Sequence, residues 1–196
     1  LTQPYEPFHG MNFWEEFGPA ALAMRIRCES MRDIGAAMTP HNAFLLLQGL
    51  ETLSLRMQQH VSNAQAIVTW LQQQDAVAWV NHPDINAEAH TKALFPKGAG
   101  SMLTFGVKGG RDAGAAFINA LQLSSNLANV GDSRTLVLHP GSTTHSRLSE
   151  ADLVAAGISA DLIRVSVGIE TLKDIQADFG LGLRAAAKVV AMQAEA

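Results

Sequence analysis

The chain has 196 residues and a mass of 20.9 kDa, which fits one domain or two small ones. Its formal charge is −4 and its 14 Lys and Arg residues are scattered, so it lacks the concentrated basic surface that nonspecific nucleic-acid binding needs. Its apolar runs are far shorter than the roughly 20 residues that span a bilayer, so no membrane-spanning helix is predicted.

The charge content is low for a free-standing protein. Charged residues make up 16% of the chain, against roughly 25% in an ordinary soluble domain. The sequence also begins at Leu1 rather than at Met. We therefore expect the chain to be part of a larger protein, in which other segments or subunits cover some of this surface.

The single cysteine indicates the cellular compartment of the protein. Cys28 cannot form an internal disulfide, and its solitary occurrence fits a reducing compartment. No basic segment followed by an apolar one opens the sequence, so no signal peptide is predicted. We expect a cytoplasmic protein in which Cys28 is an inert thiol within a helix.

The first third of the chain predicts a connecting segment and two helices. Residues 1–17 contain two prolines and several aromatic residues without a clear period, and we interpret them as an ordered connection. Pro19 opens a helix that runs to Gly35, and Thr39 with Pro40 opens a second, because proline is well tolerated at the first helical position.

The second helix is predicted to be unusually long. It reaches from Pro40 to about Gln74, which is about 50 Å at about 1.5 Å per residue. Such a helix either kinks, with Gly49 the natural place, or bridges two domains, and we favour bridging. Its apolar stripe has helical spacing and consists of Leu46, Leu50, Leu53, Met57, Val61, Ala64, Val68 and Leu71.

From about residue 75 the pattern changes to strands mixed with helices. Strands are predicted at 76–80, 101–107, 135–139 and 162–167, with a short strand or extended segment at 126–130. Helices are predicted at 111–121 and 149–156, and a last one begins at Thr171. The order of these elements indicates an α/β or α+β fold.

Arg164 is the most informative candidate residue. Period-two alternation places Ile163, Val165 and Val167 on one face of the strand, with Leu162, Arg164 and Ser166 on the other. An arginine within an apolar strand is costly to bury without an anionic partner, and its planar fork suits a carboxylate. That partner is either a nearby Asp or Glu in a structural salt bridge, or a ligand.

The loop at 139–150, with the sequence HPGSTTHSRLSE, is the second candidate. Its hydroxyls and imidazoles suit oriented hydrogen bonding to a ligand, whereas the alternative is that Ser and Thr cap their own backbone. No HExxH, GxSxG, GxGxxG or phosphate-binding loop occurs, and no metal site is predicted. The five lysines lie in polar contexts, so none has the setting of a desolvated Schiff-base lysine.

Several segments together resemble one enzyme family. The segment at 4–64, from PYEPFHGMNFWEEFGP to HVSNA, is similar to the middle of O-acetylhomoserine sulfhydrylases, which are pyridoxal-phosphate (PLP) enzymes of the Cys/Met metabolism family. LANVGDSRTLVLHPGSTTHSRLSE and DLIRVSVGIE resemble a carboxyl-terminal signature of the wider family. One departure is Gly141, where alanine is expected, and we interpret it as neutral.

The resemblance implies a fold and a domain organisation. It implies the small carboxyl-terminal domain of a fold-type I PLP-dependent transferase, an α/β (α+β) unit whose mixed sheet has helices packed on one face. Residues 1–38 would be a remnant of the large PLP-binding domain, 39–74 a long interdomain helix and 75–196 the small domain.

The resemblance also implies roles for three residues. Arg164 matches the arginine that binds the substrate α-carboxylate, Asn129 matches a position that contacts the same carboxylate, and Thr144 matches a supporting threonine. The cofactor lysine and most phosphate-binding residues have no match here. The chain would therefore be inactive alone and contain no catalytic or cofactor-binding residue. PLP would be held mainly by an upstream region.

The activity implied for the intact enzyme is replacement of the acetyloxy group of O-acetyl-L-homoserine by sulfide or a thiol, giving homocysteine or methionine. Its partners would be these small molecules and further copies of itself in a homotetramer. Two alternatives stay open. One is another reaction of the family, of the cystathionine synthase or methionine γ-lyase type, and the other is a non-catalytic α/β domain.

Overall fold

Residues 1–85 and 88–195 are described by a computed structural model, in which the chain divides into two compact units, Leu1–Glu51 and Thr52–Ala196. The predicted three-part division into 1–38, 39–74 and 75–196 stays a prediction.

The first unit is helical. It contains α1 (Phe13–Phe17), α2 (Ala21–Ile26), α3 (Arg32–Ile34) and α4 (Pro40–Glu51). The predicted helix from Pro19 to Gly35 is confirmed in outline. A 3₁₀ turn at Gly18–Ala20 leads into α2, and a π-helical turn at Arg27–Met31 joins α2 to α3. The helical segment ends at Gly35. The segment at 1–17 is more regular than predicted, because Asn12 accepts hydrogen bonds from the backbone N–H groups of Trp14 and Glu15 and so caps α1.

The predicted long helix is interrupted. The structure has α4 and α5 (Leu53–Leu71), separated at Thr52, whose φ of −104° and ψ of 4° are not helical. Gly49 stays inside α4, so the alternative of a kink at Gly49 is wrong, and the favoured bridging of two domains stays a prediction. Helix α5 begins directly after Thr52, whose carbonyl accepts from the Arg56 backbone N–H and whose Oγ1 accepts from Arg56 Nε.

The second unit contains the predicted mixed sheet. Its strands are β1 (Val77–Asn81), β2 (Met102–Val107), β3 (Ser125–Asn126), β4 (Leu136–Leu138) and β5 (Leu162–Ser166), in the order β1-β2-β5-β4-β3. The β3/β4 pair is parallel and the other three pairs are antiparallel. Of the two alternatives predicted for 126–130, the short strand is wrong beyond Asn126, because pairing ends there and the chain continues without regular structure.

Helices α5, α7 (Gly110–Ala120) and α9 (Leu172–Ala194) bury the core with one face of the sheet. Ile163, Val165 and Val167 are fully buried there, as the alternation predicts. Two further helices are α6 (Ala89–Leu94), which the sequence did not predict, and α8 (Glu150–Ala155), whose predicted Ser149 cap accepts from the Asp152 backbone N–H. None of the described helices is long and apolar enough to cross a membrane.

Helices α7 and α9 approach closely at Gly182. A Cβ built at Gly182 would lie 2.5 Å from Cδ2 of Phe117, whose ring is fully buried. We expect Gly182→Ala to lower the free energy of unfolding by about 1–3 kcal/mol, because a packed ring cannot move aside. Urea unfolding of the whole chain, followed by circular dichroism, measures this change.

Gly180→Ala is the matched control on the same helix. Its Cβ would meet the guanidinium of Arg184 at 3.3 Å, and that flexible side chain can shift. The higher helix propensity of alanine should then leave stability unchanged or raise it by up to about 1 kcal/mol. Equal losses in the two variants would contradict the close approach at Gly182.

Candidate functional site

Arg164 lies at the centre of the sheet. It is the middle residue of β5, which is the central strand, and it pairs in register with Thr104 of β2 and Leu138 of β4. Its neighbours Ile163 and Val165 point into the core, so Arg164 emerges from the opposite face. The sheet therefore fixes the base of this side chain rigidly while its guanidinium stays partly exposed.

The guanidinium makes no ion pair with a carboxylate among the described residues. Its hydrogen bond is instead to a carbonyl, from Nη2 to the backbone oxygen of Asn129, at 3.4 Å. Of the two interpretations left open by the sequence, the structural salt bridge therefore has no support in the described part of the chain. An arginine fork has five N–H donors, and the remaining ones are available to a planar anion.

The structure thus brings together two of the three predicted site residues. Asn129 lies in the segment at 127–131, which is exposed except for the half-buried Gly131, and its own side chain accepts from the Val130 backbone N–H at 2.9 Å. Its contribution at Arg164 is therefore the main-chain carbonyl. The segment is fastened to the sheet, since the Gly131 N–H donates to Oγ of Ser166 at 3.1 Å.

A second set of hydrogen bonds fixes the following residues. Glu170 accepts from the backbone N–H of Thr135 at 2.6 Å and from its hydroxyl at 2.8 Å, and that hydroxyl accepts from the Gly168 N–H at 2.9 Å. The Ile169 N–H donates to the Ser133 carbonyl at 2.9 Å. These contacts join the start of β4 to the residues that follow β5.

Several polar side chains of the loop at 139–146 form hydrogen bonds within the protein. His139 is buried, with Nδ1 at 2.8 Å from Oγ of Ser142 and Nε2 at 2.9 Å from the carbonyl of Ala160. Thr143 donates to the carbonyl of His139 at 2.8 Å. The alternative in which these hydroxyls cap their own loop is confirmed for Ser142 and Thr143. Gly141 would accept a Cβ, which would meet ordinary contacts at 3.8 Å and beyond.

Thr144 is exposed, and its hydroxyl lies 2.9 Å from Nδ1 of His145. This contact does not join it to Arg164, so its supporting role stays a prediction.

A cavity of about 230 Å³ opens beside Arg164, on the side of β1 and β2. It is smaller than typical ligand pockets of about 300–1,000 Å³, so it suits part of a small ligand. Besides Arg164, its lining includes Asn81, His82, Pro83, Met102 and Thr104.

The residues present do not by themselves form a PLP site. The cofactor is held through a lysine in a desolvated setting, whereas all five lysines are exposed: Lys92, Lys97, Lys108, Lys173 and Lys188. In the part of the chain that the structure describes, no group of three His, Cys, Asp or Glu side chains could hold a metal ion.

Sequence reasoning missed the residues that fasten the site, namely Ser166, Thr135 and Glu170. A partial signal existed for Ser166, which the alternation places on the same face as Arg164. No local pattern signals that Glu170 accepts from Thr135, because the two are 35 residues apart.

Known proteins are similar to most of the chain. The sequence profile of Cys/Met metabolism PLP-dependent enzymes matches residues 16–184. The homocysteine synthase of Schizosaccharomyces pombe is 46% identical over 189 residues, which are 95% of this chain and 44% of that protein. The O-acetyl-L-homoserine sulfhydrylase 1 of Thermus thermophilus is 44% identical over 91% of this chain and 43% of its own length.

A solved structure shares the fold. A Campylobacter jejuni protein described as an O-acetylhomoserine (thiol)-lyase, which carries a pyridoxyl-lysine monophosphate, superposes with a TM-score of 0.78 at 36% identity. The match covers 93% of this chain and 44% of that one. The chain therefore spans less than half the length of the relatives that it matches.

Proposed function

Because the chain belongs to the Cys/Met metabolism PLP-dependent enzyme family, we propose that it supplies the substrate-carboxylate site of an O-acetylhomoserine sulfhydrylase. The intact enzyme would replace the acetyloxy group of O-acetyl-L-homoserine with sulfide or a thiol, giving homocysteine or methionine. The names of the relatives support this choice of reaction.

The observation that carries the proposal is Arg164. Its guanidinium emerges from the central strand beside a small cavity and makes no ion pair with a described carboxylate. A cation fixed in this way suits the α-carboxylate of an amino acid, which a planar fork grips bidentately. In this role Arg164 orients the substrate, and small errors in such positioning are costly to the rate.

Two further roles complete the proposed carboxylate site. The carbonyl of Asn129 accepts from Arg164 and so limits the orientations of the fork. Thr144 would support the site from the loop after β4. PLP would supply the electron sink for the reaction. Since every lysine of this chain is exposed, the cofactor lysine and most phosphate-binding groups would come from outside it.

The chain would act within an assembly. Five large apolar side chains of α4 are more than half exposed, namely Phe44, Leu45, Leu46, Leu47 and Leu50. A contiguous apolar surface of this kind marks an interaction site. It supports an assembly in which other segments or subunits cover α4, and the family resemblance implies that this assembly is a homotetramer. The single cysteine supports a cytoplasmic location.

The proposed reaction is tested with the full-length enzyme that contains this chain, loaded with PLP. With O-acetyl-L-homoserine, we expect sulfide to be converted to homocysteine faster than cysteine is converted to cystathionine. With methionine alone, we expect little release of ammonia and methanethiol. A dominant cystathionine product or a dominant elimination would contradict the sulfhydrylase assignment, and absence of all three reactions would favour a non-catalytic domain.

The isolated 196-residue chain gives a separate prediction. Mixed with PLP and passed through a desalting column, it should retain no visible absorption band, because its lysines are exposed and hydrated. A retained band in stoichiometric amount would show that a lysine of this chain holds the cofactor.

A further inference from the structure

Ser166 lies on the same face of the sheet as Arg164, two residues further along β5. Residues two apart on a strand project to the same side, about 6.6 Å apart. Ser166 is 2% exposed, and its hydroxyl accepts the N–H of Gly131, the half-buried last residue of the segment at 127–131, whose other residues are exposed. A buried side chain of the sheet thus anchors an otherwise exposed segment.

The anchor determines where the Asn129 carbonyl lies. Asn129 and Gly131 are two positions apart, with only Val130 between them, as Arg164 and Ser166 are two positions apart on β5. The segment therefore passes over the strand so that one end is held by Ser166 and the carbonyl of Asn129 reaches Nη2 of Arg164. Because that carbonyl occupies one donor of the fork, it limits the orientations that the guanidinium can adopt.

From this chain of contacts we infer that Ser166 is a positioning residue for the carboxylate site. It acts through the segment at 127–131, which orients the Arg164 guanidinium toward an amino-acid carboxylate. The inference rests on the proposed function of Arg164. It adds a residue to which neither the family resemblance nor the sequence pattern assigns a role.

The anchor is separable from the stability of the fold. The residues that follow, from Ser133 to Thr135, are held independently by Ile169 and Glu170. Removing the Ser166 hydroxyl should therefore loosen the segment at 127–131 without unfolding β4 or β5.

The test compares three variants of the full-length PLP enzyme with O-acetyl-L-homoserine. Ser166→Ala should raise KM about threefold to tenfold, the range that corresponds to one neutral hydrogen bond, and change kcat less than twofold. Ser166→Thr, which keeps the acceptor, should restore KM. Ser101→Ala, at a buried serine that precedes β2, is the matched control and should leave KM unchanged.

The outcomes separate this inference from the proposed function. If Arg164→Ala raises KM while Ser166→Ala behaves like Ser101→Ala, the positioning role is wrong and the function of Arg164 stands. If Arg164→Ala leaves KM unchanged, the proposed site itself is wrong.

Hydrogen exchange of the unaltered enzyme gives a test that needs no variant. The Gly131 N–H should be protected, and more strongly so with bound substrate. Exchange at the rate of an unstructured peptide would overturn the inference.

Discussion

Replacing Arg164 with alanine should raise the KM of the intact enzyme for O-acetyl-L-homoserine about 100-fold or more. The variant loses two charge-assisted hydrogen bonds to the carboxylate, each worth roughly 1.5–3 kcal/mol, and about 1.4 kcal/mol corresponds to a factor of ten. Steady-state kinetics at saturating sulfide measures the effect.

Arg164→Lys should recover only part of the loss. Lysine keeps the charge, but its ammonium group cannot reproduce the bidentate grip or the contact of Nη2 with Asn129. Arg184→Ala, at an exposed arginine of α9, is the control for a lost positive charge and should leave KM unchanged. An Arg164→Ala enzyme with the KM of the unaltered protein would refute the assignment.

The largest expected effect on stability is at Asp178. This buried carboxylate of α9 accepts from the backbone N–H groups of Gln122 (2.7 Å), Leu123 (3.0 Å) and Ser124 (2.9 Å). Asp178→Ala leaves these donors without their acceptor and should lower the free energy of unfolding by about 3 kcal/mol or more. Asp174→Ala, at an exposed acidic residue in the first turn of the same helix, should cost no more than about 1 kcal/mol.

Asp178 should also make stability depend on pH. Burial by itself would raise the pKa of Asp178, but the three backbone N–H donors outweigh it and the pKa is lowered. The stability that this group contributes is therefore fully present above its unfolded pKa of about 3.9 and lost as the pH falls through the lower folded pKa.

Urea unfolding of the chain and of Asp178→Asn between pH 7 and pH 2.5 measures this dependence. The difference in stability should be constant above about pH 5 and shrink below about pH 4. If the stability difference between the two proteins stayed constant down to pH 2.5, it would contradict the conclusion that the Asp178 carboxylate and its three hydrogen bonds cause the pH dependence.

Features that depend on neighbouring residues could be predicted from the sequence. The alternation in β5 correctly placed Ile163 and Val165 in the core and Arg164 on the other face, because period two is a property of the strand itself. Thr39 before Pro40, and Ser149 before α8, correctly marked helix starts, since capping involves only the first turn.

Features that depend on distant residues could not be predicted in this way. The contact of Arg164 with the Asn129 carbonyl and the anchor between Ser166 and Gly131 each join residues 35 positions apart. The interruption at Thr52 also escaped prediction, because an apolar stripe with helical spacing continues through it. The family resemblance selected Arg164 and Asn129, but only the structure shows that Asn129 meets Arg164 through its main chain.

The central claim is that Arg164 holds the carboxylate of an amino-acid substrate. A crystal structure of the intact PLP enzyme with bound O-acetyl-L-homoserine tests it most directly. We expect both carboxylate oxygens within about 3 Å of the Arg164 guanidinium nitrogens, the distance of charge-assisted hydrogen bonds. A carboxylate bound elsewhere, with Arg164 in contact only with protein, would contradict the assignment.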